Sequence, residues 1–275
     1  MTQFCAKIAI IGQPNVGKST LLNALTGSHL AITSPKAQTT ETTLLGIMTD
    51  QDYQFVFIDT PGIHTRMHQS KNKDMNRQAQ RSILDADIVL WLITPQIGRL
   101  DKHVAEWLRK HDSLPPLLLL INKSDLPIAR PNLTSLIDNI PITMSMPISA
   151  KTGLHIDQLK AWLMMHCPQA PFLYEPHQTS DQSESFQITE IIREQLLLKL
   201  NQELPYQCDV VIESDETTSK GRLINAFIQV KDSNHKKIII GHQGQTIKAI
   251  SQEARKQIQI RLNTSLHLML YVKQL

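Results

Sequence analysis

Cysteine is scarce in this sequence, and its scarcity excludes two architectures. Cys5, Cys167 and Cys208 are widely spaced, odd in number and form no CxxC pair. A disulfide frame or a zinc site draws on paired thiols, so these are expected to be reduced and the chain cytosolic. Long apolar runs are also lacking. Stretches such as Leu117–Ile121 fall far short of the ~20 residues that a bilayer-spanning helix needs. The opening MTQFCAKIAIIGQPN leads directly into a glycine loop and reads as a first buried strand, not as an export signal. The chain is therefore expected neither to span a membrane nor to be exported. Internal repeats and low-complexity tracts are missing too, and neither sign of charge dominates, the formal net charge being +3. What is there is ordinary globular composition, 275 residues with 41% hydrophobic, enough for two domains.

Residues 4–167 alternate short apolar runs with amphipathic segments, the pattern of repeated βα units around a largely parallel sheet. Strands are predicted at Lys7–Ile11, Tyr53–Ile58, Ile88–Ile93, Leu117–Ile121 and Thr143–Ile148, and helices at Ser19–Leu25, Asn72–Leu84, Lys102–Lys110 and Ile156–His166. Residues 168–185 carry three prolines and a polar cluster and read as a linker. The division is thus 1–167 for an α/β domain, 168–185 for the linker and 186–275 for a smaller α+β domain. That second part is predicted to run helix Phe186–Gln202, strands Cys208–Glu213, Leu223–Val230 and Lys237–Ile240, a glycine turn, helix Thr246–Arg261 and strand His267–Val272.

The first domain carries a phosphate-binding motif. Gly12-Gln13-Pro14-Asn15-Val16-Gly17-Lys18-Ser19 fits GxxxxGK[ST] between a predicted strand and a predicted helix, with Thr20 in that helix's first turn. Glycines let the backbone wrap closely round phosphates, and the helix N-terminus offers free N–H groups and a positive dipole end. Lys18 would reach the β- and γ-phosphates and the Ser19 hydroxyl would ligate Mg²⁺. Asp59-Thr60-Pro61-Gly62 closes the next strand, where Asp59 would hold the metal and the Gly62 N–H would face the γ-phosphate. Asn122-Lys123-Ser124-Asp125 and Ser149-Ala150-Lys151 end two later strands, and in such sheets ligands gather at the C-terminal ends of strands. A carboxylate at Asp125 can accept two hydrogen bonds from the guanine N1–H and amino group, a donor pair that adenine lacks. The Lys123 stem can cover the purine face, and the Ala150 N–H can meet O6.

GQPNVGKS, DTPG, NKSD and SAK, in this order and spacing, resemble the translation-factor-related class of GTPases. Together with the C-terminal motifs below, the resemblance narrows to the Era family of bacterial ribosome-assembly GTPases and covers nearly the whole chain. It implies GTP and GDP as ligands and Mg²⁺ held by Ser19, Asp59 and a switch threonine, Thr40 or alternatively Thr39. Glu41 departs from the basic residue that relatives carry after the two threonines. Ile63 stands where Ras-type enzymes place a water-orienting glutamine, so slow intrinsic hydrolysis is expected. Asn15 matches an asparagine that helps bind K⁺ in related GTPases, the alternative being that it only stabilises the loop. Catalytic roles thus fall to Lys18, Thr40, Gly62 and Asn15. The polar stretch after Gly62, with His64 and His68, reads as a solvated switch loop.

In the second part, Gly241-His242-Gln243-Gly244 precedes a basic amphipathic segment with Lys248, Arg255 and Lys256. This resembles the GxxG loop of a type II KH domain, which clamps single-stranded RNA of about four nucleotides. Ile240, Ile247 and Ile250 would wall the groove for bases. From Lys220 onward ten basic residues face two acidic ones, a net +8, the charge an RNA backbone attracts. His242 and Gln243 stand where relatives often have a lysine, and the chain ends at Leu275 where relatives continue, which would trim the RNA surface. The resemblance implies as partners the 3′ end of small-subunit ribosomal RNA and the small ribosomal subunit. It further implies a cytoplasmic monomer with a weak peripheral association with the inner membrane. The competing reading is an RNA-binding scaffold that holds GTP with negligible turnover.

Overall fold

The computed structural model describes residues 2–28, 30–32, 44–59, 81, 83–111, 113–127, 132–200, 204–218 and 221–274. It divides into two compact units, the first closing at Asp181 and the second opening at Gln182.

In the first unit, β1 (Phe4–Gly12) feeds α1 (Lys18–Thr26), and the hairpin β2 (Leu44–Asp50) and β3 (Tyr53–Asp59) follows. Then come β4 (Ile88–Ile93), α2 (Arg99–Arg109), β5 (Leu117–Ile121), the single turn α3 (Thr134–Ile137), β6 (Ile142–Pro147) and α4 (Ile156–His166). The six strands lie in the order β2-β3-β1-β4-β5-β6, all parallel except β2, which runs antiparallel to β3. Parallel strands covered on both faces need apolar residues at every position. IVLWLI in β4 meets that demand, with all six residues buried. One core includes Ala9, Ile11, Trp91, Val104, Leu108 and Leu119.

The edge strand β2 was not among the predicted strands. LLGIMTD has a glycine at its third position and no clean alternation, with Leu44, Gly46 and Ile47 buried and only Asp50 exposed, so its pattern is weak. It is fixed by pairing along its length with β3, from Leu44 opposite Asp59 to Asp50 opposite Tyr53. The expected helix Asn72–Leu84 lies outside the described residues apart from Arg81, Ile83 and Leu84.

The stretch 168–185, expected as a linker, is divided between two structural contexts. Residues 168–181 run along the sheet of the first unit, and Ser183 caps the first helix of the second, its hydroxyl accepting from the Phe186 N–H at 3.2 Å.

The second unit runs α5 (Glu184–Lys199), β7 (Asp209–Thr218), β8 (Gly221–Val230), α6 (Ser233–Ile240), α7 (Gln245–Leu262) and β9 (Leu266–Gln274). Its sheet is ordered β7-β8-β9, with β7 antiparallel and β9 parallel to β8. Ile188 and Ile192 of α5 meet Ala254 and Ile258 of α7 over Ile224 and Ala226 of β8.

Here one expectation is overturned. Lys237–Ile240, predicted as a strand from its β-branched run, is the last turn of a helix. The Asp232 carboxylate caps that helix by accepting from the Asn234 N–H at 2.8 Å, and Gly241 ends it. Caps at both ends outweigh the weak strand preference of three isoleucines. Only Ile239 of the three is buried, as a helix with one apolar side requires.

All three cysteines are free and buried. Burial pushes the Cys167 thiol up to about 12 and the Cys208 thiol to about 11, which makes both poor nucleophiles. Among the described residues, no helix is long and apolar enough to cross a membrane.

Candidate nucleotide site and RNA-binding surface

The loop after β1 is shaped by its glycines. Gly12 has φ 150°, and a Cβ there would run into the Leu92 carbonyl oxygen and Val16. Gly17, at φ 102°, caps α1, and a Cβ would strike the Asn122 carboxamide. Asn15 between them is left-handed at φ 60°, a conformation that asparagine tolerates better than most side chains. Gln13 and Pro14 lie half-buried on the loop, Val16 plugs it from beneath, and Thr20 is half-buried in α1.

Lys18 sits inside this loop, 7% exposed. Its ammonium donates to the carbonyls of Gly12 and Gln13, both at 3.1 Å. Burial lowers its pKa, an effect opposed by the Asp59 carboxylate. Beside it the Ser19 hydroxyl donates to Asp59 Oδ2 at 2.8 Å, with Asp59 wholly buried at the end of β3. A hydroxyl on the phosphate-loop helix and a carboxylate on the neighbouring strand, this close together, fit a hard divalent cation such as Mg²⁺. Thr39, Thr40, Glu41, Thr60, Pro61, Gly62, Ile63, His64 and His68 lie outside the described residues.

The motifs Asn122–Asp125 and Ser149–Lys151 meet the phosphate loop, and one residue joins them. Asn122 is buried; its Nδ2 donates to the Val16 carbonyl at 2.8 Å, and its Oδ1 accepts from the Ala150 N–H at 2.9 Å. The Ala150 N–H expected to face guanine O6 is therefore engaged by Asn122. Lys123, left-handed at φ 62°, extends to the phosphate loop, where its ammonium donates to the Asn15 carbonyl at 2.8 Å. Ser124 fixes the turn twice, its hydroxyl donating to the Ile121 carbonyl at 2.8 Å and its N–H to the Ile148 carbonyl at 3.0 Å. This leaves the Asp125 carboxylate exposed at the rim. Buried Ser149 accepts from the Thr152 N–H at 3.2 Å, and Lys151 is exposed.

The clamp formed by Asn122 was not foreseen. Its partners lie 106 and 28 residues away in sequence, and no local pattern announces such bonds. Asp101 was also missed. It is wholly buried, accepts from the Gly98 N–H at 2.8 Å and so holds the start of α2 beside Gln13. Burial raises its carboxyl pKa, and the Gly98 N–H opposes that.

In the second unit, Gly241 to Gly244 form a tight turn between α6 and α7. Gly241 has φ 73°, and a Cβ would fall on the Thr246 side chain. Gly244 is left-handed at φ 75° and caps α7 without a side-chain hydrogen bond, while the Gln245 N–H donates to the His242 carbonyl. His242 and Gln243 are exposed at the tip, with Lys248, Arg255 and Lys256 exposed along α7. Ile240 and Ile247 are half-buried beside the turn, as a groove wall requires. Ile250 is not part of that wall: it is wholly buried, in the core with Leu196, Leu200 and Ile228.

The count of basic residues also overstates the charge presented here. Arg222 is bound to Asp215 at 2.6 Å and Glu184 at 2.9 Å, acids that precede the counted stretch. Arg261 is drawn inward to Gln187 Oε1 at 3.0 Å. Lys220 lies outside the described residues.

Residues 7–123 match the family described as 50S ribosome-binding GTPase, and residues 203–273 match the KH domain family. GTPase Era of Pseudomonas entomophila is 38% identical over 274 residues, covering 98% of this chain and 91% of that protein. Among solved structures, an Aquifex aeolicus Era variant bound to GDP·AlF₄⁻ is similar with TM-score 0.87 and 31% identity, covering 99% of this chain and 94% of that one. Era in complex with MgGDPNP and nucleotides 1506–1542 of 16S ribosomal RNA is similar with TM-score 0.88 at the same identity and coverage.

Proposed function

Because the chain belongs to the Era family of GTPases, we propose that it is a GTP-hydrolysing switch that binds the 3′ end of small-subunit ribosomal RNA and assists assembly of the small ribosomal subunit. The observation that carries this reading is the presence in one chain of two built sites. One is a phosphate loop tied through Asn122 to a base-recognition rim, and the other is a glycine turn at the N-terminus of α7 with exposed cations along that helix. The relative solved with MgGDPNP and an RNA segment binds both kinds of ligand together. We place the protein in the cytoplasm as a monomer, with only peripheral contact with the inner membrane.

In the GTP complex Lys18 turns from the Gly12 and Gln13 carbonyls to the β- and γ-phosphate oxygens, while the α1 N-terminus faces the phosphates. Ser19, Asp59 and Thr40 would hold Mg²⁺, which when bound neutralises charge on those oxygens. The Gly62 N–H meets the γ-phosphate. Asp125 accepts the guanine N1–H and amino group, and the Lys123 stem lies along the purine.

Ile63 can neither donate to nor accept from the attacking water, so unstimulated turnover is slow. Asn15 would help hold K⁺ beside the phosphates, where the ion would supply positive charge to the transition state. Turnover several-fold faster in K⁺ than in Na⁺ at equal ionic strength is expected; equal rates would remove Asn15 from the mechanism. Ile63 also favours the scaffold reading, in which GTP is held but not consumed. Turnover that rises on adding the RNA segment would exclude it.

The reading as a switch is tested with a labelled oligonucleotide from the RNA 3′ end and protein loaded with a non-hydrolysable GTP analogue or with GDP. Binding roughly tenfold tighter in the GTP form is expected, a coupling of ~1.4 kcal/mol. Equal affinities would leave an RNA-binding protein without a switch, and no binding in either form would remove the RNA function.

A further inference from the structure

Gln54 is the single polar residue in the interior of β3, and it is wholly buried. A carboxamide is costly to bury unless its oxygen and nitrogen are both satisfied. Here they are, and chiefly by one distant segment. Gln54 Oε1 accepts from the N–H groups of Leu173 at 2.8 Å and Tyr174 at 3.0 Å. Its Nε2 donates to the Tyr174 carbonyl at 2.8 Å and to Thr49 Oγ1 of β2 at 3.1 Å. One side chain thereby fastens the β2–β3 hairpin to the strap of residues 168–181.

A second fastening lies further along the strap. The Ile47 N–H of β2 donates to the Thr179 carbonyl at 2.8 Å, and the Ser180 hydroxyl donates to the Leu45 carbonyl at 3.0 Å. Two residues beyond Ser180 the second unit begins, and α5 starts at Glu184.

The same hairpin belongs to the nucleotide site. Leu44, the first residue of β2, pairs with Asp59, whose carboxylate accepts from Ser19. The backbone of β2 also lies directly on α1, because a Cβ at Gly46 would collide with Leu22 and meet Thr26. Any rearrangement at Asp59 or α1 that shifts this hairpin must carry the strap with it or break these bonds.

We propose that Gln54, supported by Ser180, is a positioning residue that transmits the nucleotide state at Asp59 along the strap to the start of the RNA-binding unit. The inference rests on the switch reading above and deepens it by naming the part that connects the two sites. Gln54 touches neither nucleotide nor RNA; it acts through the hairpin on one side and the chain leading into α5 on the other.

The test uses the full chain and three variants: Gln54→Met, which keeps length and removes every hydrogen bond of the carboxamide; Ser180→Ala, which removes only the second fastening; and the two combined. Each is loaded with GTP analogue or GDP and titrated with the labelled 3′-end oligonucleotide. The expected result is a fall in the GTP-to-GDP affinity ratio from about tenfold in the parent to within twofold in the double variant, with a partial fall in each single variant. Affinity for GTP analogue and turnover without RNA should stay within about twofold of the parent. A ratio preserved in all three variants would overturn the proposal, even if Gln54→Met lowered the melting temperature, since that would make Gln54 a structural residue only. Should Gln54→Met fail to fold, Ser180→Ala alone decides, a preserved ratio again counting against. A parent protein whose ratio is already one would overturn the switch reading and this inference with it, an outcome distinct from a ratio present in the parent and kept in the variants.

Discussion

Replacing Asp125 with asparagine is expected to lower affinity for GTP by roughly a thousandfold while raising affinity for xanthosine triphosphate. The aspartate lies exposed on a turn that Ser124 bonds at two points, so its carboxylate can reach a ligand without rebuilding the loop. Guanine offers N1–H and an amino group, and each hydrogen bond to a charged acceptor contributes ~1.5–3 kcal/mol. Asparagine turns one acceptor into an N–H₂ donor that faces the guanine amino group. Xanthine carries a carbonyl at that position and accepts from the new donor. Equilibrium titration with both nucleotides checks this. Unchanged GTP affinity would mean that Asp125 does not read the base.

The second large effect is at the other site. Gly241→Asp is expected to reduce RNA affinity by about a hundredfold or more and to leave GTP binding within about twofold. Two physical causes act together. At φ 73° a side chain is strained, and its Cβ would displace Thr246 from the turn, a distortion of ~1–3 kcal/mol. The added carboxylate also stands where RNA phosphates are expected, beside N–H groups that favour anions from the ligand. Gly241→Ala separates the two causes, since it carries the strain without the charge. RNA titration of both variants, with GTP titration as control, is the measurement. Full RNA binding by Gly241→Asp would remove the glycine turn from the interface.

The sequence makes some of this architecture legible and hides the rest for identifiable reasons. Strands such as IVLWLI announce themselves because both faces are covered and every position must be apolar. The motifs at Gly12–Ser19 and Asn122–Asp125 are equally plain, since each is a short run whose spacing is dictated by the ligand. Edge strand β2 escapes because its residues do not alternate cleanly between buried and exposed and its partner supplies the order. The misread Lys237–Ile240 shows local composition losing to local caps: three isoleucines suggest a strand, but Asp232 and Gly241 bracket eight residues into a helix. Ile250 follows the glycine turn closely enough in sequence to suggest the groove wall. Only the packing with Leu196 and Ile228 shows that it faces the core.

Bonds between distant residues are the least legible of all. Asn122 could be read as part of a motif, but not as the clamp that closes the loop at Val16 onto the strand end at Ala150. Gln54 looks like an interruption in an apolar strand until the strap is seen against it. Charge misled in a similar way, because a count along the chain ignores acids brought in from elsewhere, such as Glu184 and Asp215 beside Arg222.

The strap has one more consequence, which concerns solubility. Strand β2 forms one border of the six-stranded sheet, and a border strand displays unpaired N–H and C=O groups to which a strand from another molecule can add. Thr179 and Ser180 occupy the Ile47 N–H and the Leu45 carbonyl, and Ser180 pairs with Gly46 between them. Thr179 and Ser180 therefore cover part of the border of the sheet against self-association, so a chain cut before Pro168 would expose it and should aggregate.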